Sequence, residues 1–170
     1  VYTAMVKDPT LNTQAALSAP YKTSESAKER GITVHTIVES YKHTKEHIET
    51  IPDQFRGYAQ AFYKFIEDYK PEILEHERSV FSEKYQFGGT LDMLMRLGKS
   101  KPIVVDGKTG KGIYPESFLQ TAAYHEALIE EGVEVKGTAT LLLQENGDYQ
   151  FAIGNSVQRK FQGFLAAKTL

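Results

Sequence analysis

The hydrophobic period of the chain changes at Pro71, and that change decides the fold class. Upstream, Phe55, Tyr58, Ala59, Phe62, Phe65, Ile66 and Tyr69 recur at three- and four-residue spacings, the mark of one broad helix face running from Pro52. At helical spacing such aromatics read as core before they read as a base-stacking platform. Pro71 stops that helix, because proline has no amide to continue the ladder. Beyond it the period falls to two. Residues 78–88 read as a strand up to the bend Gly88-Gly89, 90–97 as a second, and the apolar Ile103-Val104-Val105-Asp106 as a third, buried on both faces. Gly98-Lys-Ser-Lys-Pro102 is turn chemistry, and 107–114 a glycine-rich loop. A helix from Pro115 or Glu116 to about Glu130 follows, ended by Gly132. Asn146-Gly147 then joins 133–144 to 149–153 as a hairpin, and Ser156 caps a last helix to Leu170. Ahead of Pro52, a helix starts at Ser24 or Ser26, with Glu29 completing a capping box. It carries Ile32, Val34, Ile37, Val38 and Tyr41. Residues 1–23 form an irregular arm, with a short helix around Thr13–Leu17. The order α-α-β-β-β-α-β-β-α predicts a single α/β domain over residues 1–170, a central mixed sheet flanked by helices.

Composition narrows the function classes. With 41% hydrophobic and 25% charged residues, the chain can bury a core and is not disordered by composition. A formal net charge of −2 is not that of a globally basic nucleic-acid coat. The absence of cysteine excludes disulfides, thiolate zinc sites, cysteine nucleophiles and Cys-held iron–sulfur clusters. No apolar run approaches the ~20 residues that cross a bilayer. Val1-Tyr2-Thr3-Ala4 has neither a signal peptide's basic start nor an initiator Met. The expectation is a soluble, intracellular (cytoplasmic) domain of a longer protein.

Two acidic residues violate the strand pattern. Asp92 lies between Leu91 and Met93, and Asp106 ends the run 103–105, with Lys108 two places on. Buried charges are costly unless paired, hydrogen-bonded or bound to a metal. If strands 90–97 and 102–108 pair antiparallel about a turn near Ser100, facing residues sum to about 198–200. Asp92 then faces Asp106, Gly107 or Lys108. Period two puts Asp106 and Lys108 on one face and Gly107 on the other. Two neighbouring carboxylates raise each other's pKa unless a cation intervenes. With oxygen ligands that cation is Mg²⁺ or Mn²⁺ rather than Zn²⁺.

The motifs Gly89-Thr-Leu-Asp92, Val105-Asp-Gly-Lys108-Thr-Gly-Lys111 and Gln120-Thr-Ala-Ala-Tyr124, after Gly31-Ile-Thr-Val-His35 with Glu39 following, occur in one order over residues 31–124. Together they resemble the RecB-like exonuclease branch of the PD-(D/E)XK nuclease superfamily. The resemblance implies a restriction-endonuclease-like core and a Mg²⁺-dependent (exo)deoxyribonuclease, with Mn²⁺ as a substitute, hydrolysing phosphodiesters by metal-activated water. It implies Asp92, Asp106, the Gly107 carbonyl and His35 as metal ligands, and Lys108 as the catalytic lysine. Gln120 and Tyr124 would orient catalytic groups or contact a phosphate, alongside Thr109 and Lys111. Glu77 is the implied additional acid, with Glu75 and Glu83 competing. DNA is the implied partner, in a phage, recombination or repair setting; a helicase or recombination partner and a homo-oligomeric ring around DNA remain open. Gly107 stands where such nucleases commonly carry a larger residue, and the missing cysteines exclude the iron–sulfur subgroup. Residues 96–112 hold Arg96, Lys99, Lys101, Lys108 and Lys111 against Asp106 alone, a rim that would attract phosphates.

Rival readings carry less. A binding or assembly module of the same fold has no need of the buried acid–lysine set. His43-Thr-Lys-Glu46-His47 fits the H-x-x-E-H zinc-peptidase pattern, but its flanks are those of a solvated helix end. Gly107-Lys108-Thr109 resembles the end of a phosphate-binding loop, whose first glycine would fall on Pro102. His76 and His125 stand as lone histidines, with surface or core roles.

Overall fold

In the computed structural model, residues 28–31, 33–39 and 48–168 are described. The expected arm, the caps Ser24 and Ser26, the positions Ile32 and Tyr41, and the pattern His43-Glu46-His47 lie outside them.

The helical residues 28–31 and 33–39 (α1) precede a 3₁₀ turn, Ile48–Thr50, and the long helix α2, Asp53–Tyr69. Helix α2 buries Phe55, Tyr58, Ala59, Phe62 and Phe65, so its aromatic stripe is core, as its spacing requires. Tyr69 at its end is half exposed and packs on Phe65, Tyr149 and Phe151. Lys70 then turns left-handed (φ 45°), its amide donating to the Ile66 carbonyl, and Pro71 forbids any continuation.

Five strands follow: β1 Glu72–Ser82, β2 Phe87–Arg96, β3 Ile103–Lys108, β4 Gly137–Leu143 and β5 Tyr149–Ile153, in the order β1-β2-β3-β4-β5. Only the β3–β4 pair is parallel. Its crossover is helix α3, Pro115–Glu130, and helix α4, Val157–Lys168, closes the chain. The fold is therefore α/β, a mixed five-stranded sheet with helices on both faces. One core lies between the sheet and α1 and α2, built on Val34, Phe62, Phe65, Met93, Val105 and Leu141. The other lies under α3 and α4, built on Leu91, Leu94, Val104, Leu128 and Phe161. Among the described residues no helix is long and apolar enough to cross a membrane.

Several boundaries differ from the sequence reading, and β4 begins at Gly137 rather than at 133. The alternation at 78–88 is not one strand: it is the end of β1, a turn over residues 83–86, and the start of β2. Ser82 makes that turn, its hydroxyl accepting from the Tyr85 amide (3.1 Å) and donating to Glu130 (2.6 Å). Strand β3 continues through Lys108 because β4 pairs with it up to Leu142. Ser156 has φ 51° rather than the extended backbone usual at a cap.

Candidate metal and phosphate site

The site is made by a local inversion of strand alternation. On either side of Glu77 and Asp92 the β1–β2 ladder is in register, His76 opposite Met93 and Arg78 opposite Leu91. Leu91 and Met93 are two residues apart and should share a face. Instead Leu91 packs under α3 and α4, and Met93 packs under α1 and α2. The pivot on β1 is Glu77, whose φ of 46° lies in the left-handed region that side chains disfavour. Such backbone costs about 1–2 kcal/mol for a residue with a Cβ. Glu77→Gly should therefore be more stable than Glu77→Ala by about 1 kcal/mol, reversing the usual order in strands. Urea midpoints of the two variants check this, and an Ala variant at least as stable as the Gly variant would refute the strain.

Strands β2 and β3 pair with Met93 opposite Val105 and Met95 opposite Ile103, so facing residues sum to 198. The paired register ends at Met93, and beyond it the Asp92 side chain meets the end of β3 at Gly107. The Asp92 carboxylate accepts the Gly107 amide (2.7 Å) and lies 3.6 Å from Nε2 of His35. Nδ1 of His35 meets Glu77 at 3.2 Å. Of the three acids weighed for an additional role, Glu77 is the one that reaches His35; Glu75 instead pairs with Arg78, and Glu83 belongs to the β1–β2 turn.

His35, Glu77 and Asp92 offer ligand atoms within 4.8 Å of one another. Of the expected set His35, Asp92, Asp106 and the Gly107 carbonyl, this group contains His35 and Asp92 and adds Glu77. Asp106 follows the β3 alternation with Val104 toward the α3 face, whereas the kink turns Glu77 and Asp92 toward α1. Asp106 is nearly inaccessible, and its Oδ1 accepts the Lys108 ammonium at 2.9 Å. Its Oδ2 is buried with no hydrogen-bond partner, as is Oγ1 of Thr140, its neighbour across β4. Burial first, and the Asp92 charge second, push the Asp106 carboxyl up to about 6. Burial likewise raises Asp92, opposed by His35, the Gly107 amide and Lys108. A site with one imidazole, clustered carboxylates and an unsatisfied buried carboxylate oxygen fits a hard divalent cation such as Mg²⁺ or Mn²⁺.

The cleft above these groups is lined by Val34, His35, Glu39, His76, Lys108 and Thr109, among others. Glycine at 107 leaves it open: a Cβ there would sit 3.5 Å from Asp92 and 3.9 Å from His35. His76, read as a lone histidine, is a cleft residue. Its place next to Glu77 was the available signal, but the face it occupies follows from the kink.

Other expected residues fall elsewhere. Gln120 donates to the Tyr124 hydroxyl (2.9 Å), yet neither lines the cleft. A Cβ on Gly89 would come within 2.6 Å of the Tyr124 ring. The Gly89 and Gln120–Tyr124 motifs therefore meet in packing that braces β2 three residues before Asp92. Thr109 lines the cleft and accepts Nε of Arg30 at 3.4 Å, while Lys111 lies in the exposed loop beyond it. The cationic rim is thinner than its composition, since Arg96 pairs with Glu72, Lys101 with Glu134 and Lys108 with Asp106. Compared with known proteins, the chain matches no family model and no curated protein.

Proposed function

We propose that the chain is a Mg²⁺- or Mn²⁺-dependent DNA nuclease of the PD-(D/E)XK superfamily, on its RecB-like exonuclease branch. One observation supports this above the rest: helix α1 and two kinked strands bring His35, Glu77 and Asp92 together in one cleft that Lys108 also lines, with Asp106 behind it and paired to Lys108. Folding alone gives no reason to bury the two carboxylates Asp92 and Asp106 on the neighbouring strands β2 and β3. His35, Glu77 and Asp92 would hold the cation, with Asp106 behind them. The cation supplies Lewis-acid polarisation of the phosphate and a lowered pKa for water. The chain's own groups do the rest. Asp106 fixes the Lys108 ammonium at the cleft wall, where it meets negative charge developing on the phosphate. Gly107 keeps backbone close to the site, and its amide orients the Asp92 carboxylate.

End-labelled linear DNA should be degraded in Mg²⁺ or Mn²⁺ and spared in EDTA, with closed circular DNA resistant if attack is from ends. Intact linear DNA under all metal conditions would sink the proposal.

Acid should weaken cation binding, because protons compete for the same carboxylates. Asp106 titrates at about 6 in the fold against an ordinary value of 3.8. Without a cation, this carboxyl therefore stabilises the fold most below pH ~4, and that contribution is lost as pH rises through about 6. A bound cation reverses the trend by favouring the charged form. The rise in melting temperature on adding Mn²⁺ should be clearly larger at pH 7.5 than at pH 5. Equal rises at both would show that these carboxylates do not hold the ion.

A further inference from the structure

A second surface carries charge that the cleft does not use. Residues 149–168 contain Arg159, Lys160 and Lys168 and no Asp or Glu, in a chain whose net charge is −2. Arg159 and Lys160 project from the first turn of α4 into an open groove that Pro115, Leu119 and Asn155 complete. Lys160 is held there by the face of Phe118, 4.6 Å from the ring centroid, rather than by a carboxylate. Arg159 is exposed and, like Lys111, has no ion-pair partner among the described residues. The groove begins at Pro115, and the loop 109–114 joins it to Lys108 at the end of β3. On that loop stand Lys111 and Tyr114, the latter 56% exposed at the start of α3. Glu116 is the one carboxylate in the first turn of α3.

Ordinary solvated helices mix the two signs and do not combine unpaired cations with an exposed aromatic ring on one strip. Cations that track a backbone, with a ring on which a base can lie, form the recurring surface for unpaired nucleic acid. We infer that a single-stranded segment of the DNA substrate runs from the cleft along Lys111, Tyr114, Arg159 and Lys160. Its phosphates lie on the cations and one unpaired base stacks on Tyr114. This assignment rests on the nuclease reading for its substrate and adds the strandedness and path.

The test is fluorescence anisotropy in EDTA with labelled oligo-dT and a duplex of equal length, with cleavage assayed in parallel in Mn²⁺. Arg159→Glu/Lys160→Glu should weaken binding of both forms at least about tenfold and flatten the salt dependence by about two charges. Tyr114→Ala should weaken oligo-dT binding about tenfold and leave the duplex unchanged. Circular dichroism confirms that each variant is folded. Wild-type affinity in the double variant, or a Tyr114→Ala loss that is equal for duplex, overturns the assignment. If wild type binds oligo-dT without cutting any DNA, the nuclease reading fails while the binding series still judges the surface. If wild type binds neither form, both fall.

Discussion

Lys108→Ala and Asp92→Ala should each lower Mn²⁺-dependent cleavage of labelled DNA by roughly 10²–10⁴-fold, while the far-ultraviolet spectrum stays unchanged. The two losses arise differently. Asp92 sits at the kink, bonded to the Gly107 amide and next to His35, so its removal takes away a ligand and the anchor of the β3 end. Lys108 contributes the ammonium that faces the phosphate, and its removal also strips Asp106 of its only hydrogen-bond donor among the described residues. That carboxyl is already pushed up to about 6 by burial and by Asp92. Without Lys108 it rises further and takes up a proton, so the fold survives by neutralising the site rather than by exposing it. Lys108→Arg should not restore the rate, because a planar guanidinium cannot replace a compact ammonium beside Asp106. Cleavage retained at wild-type levels in either alanine variant would place the chemistry in another part of the molecule.

What the sequence made readable here followed from violated patterns. Asp92 and Asp106 stood out because apolar strands do not carry charges without cause, and the turn at 98–102 confined their pairing to three registers. Pro71 and Asn146-Gly147 marked their boundaries because each acts through its own backbone chemistry, independent of tertiary context. The rest depended on a feature that periodicity conceals. A left-handed residue at Glu77 swaps the faces of β1 beyond it, so His76 and Glu77 reach the cleft although simple alternation assigns them no shared role. The same kink separates Leu91 from Met93 and turns Asp92 away from the face that Asp106 keeps. Gln120 and Tyr124 share a helix face, as their spacing required. Their target was set by the missing side chain of Gly89, which reads in sequence only as a bend. Lysines could be counted along 96–112, but their partners Glu72 and Glu134 come from distant segments.

Gly57→Ala should destabilise the protein by about 3 kcal/mol, although the same change in an ordinary helix interior stabilises by up to about 1 kcal/mol. Gly57 lies in the second turn of α2, where the helix crosses the β4–β5 hairpin. A Cβ at this position would overlap the Glu145 carbonyl oxygen and lie 2.6 Å from its carbonyl carbon. Neither side can yield cheaply. The hairpin turn is closed by the Gln144 amide donating to Asp148 (2.9 Å) and the Asp148 amide donating to the Asn146 side chain (3.0 Å). It is also tied to α2 itself through Lys64 and Asp148, 2.7 Å apart. On the other side, Phe62 and Phe65 are fully buried, so a shift of the helix would open the core that supports Met93 beside Asp92. Gly31 in α1 is the control, since a Cβ there meets nothing within 4 Å. Gly31→Ala should keep or raise the urea midpoint, whereas Gly57→Ala should lower it sharply. A Gly57→Ala midpoint at or above wild type would mean that α2 does not lie against the hairpin as described, and the wall of the cleft that α2 supports would have to be redrawn.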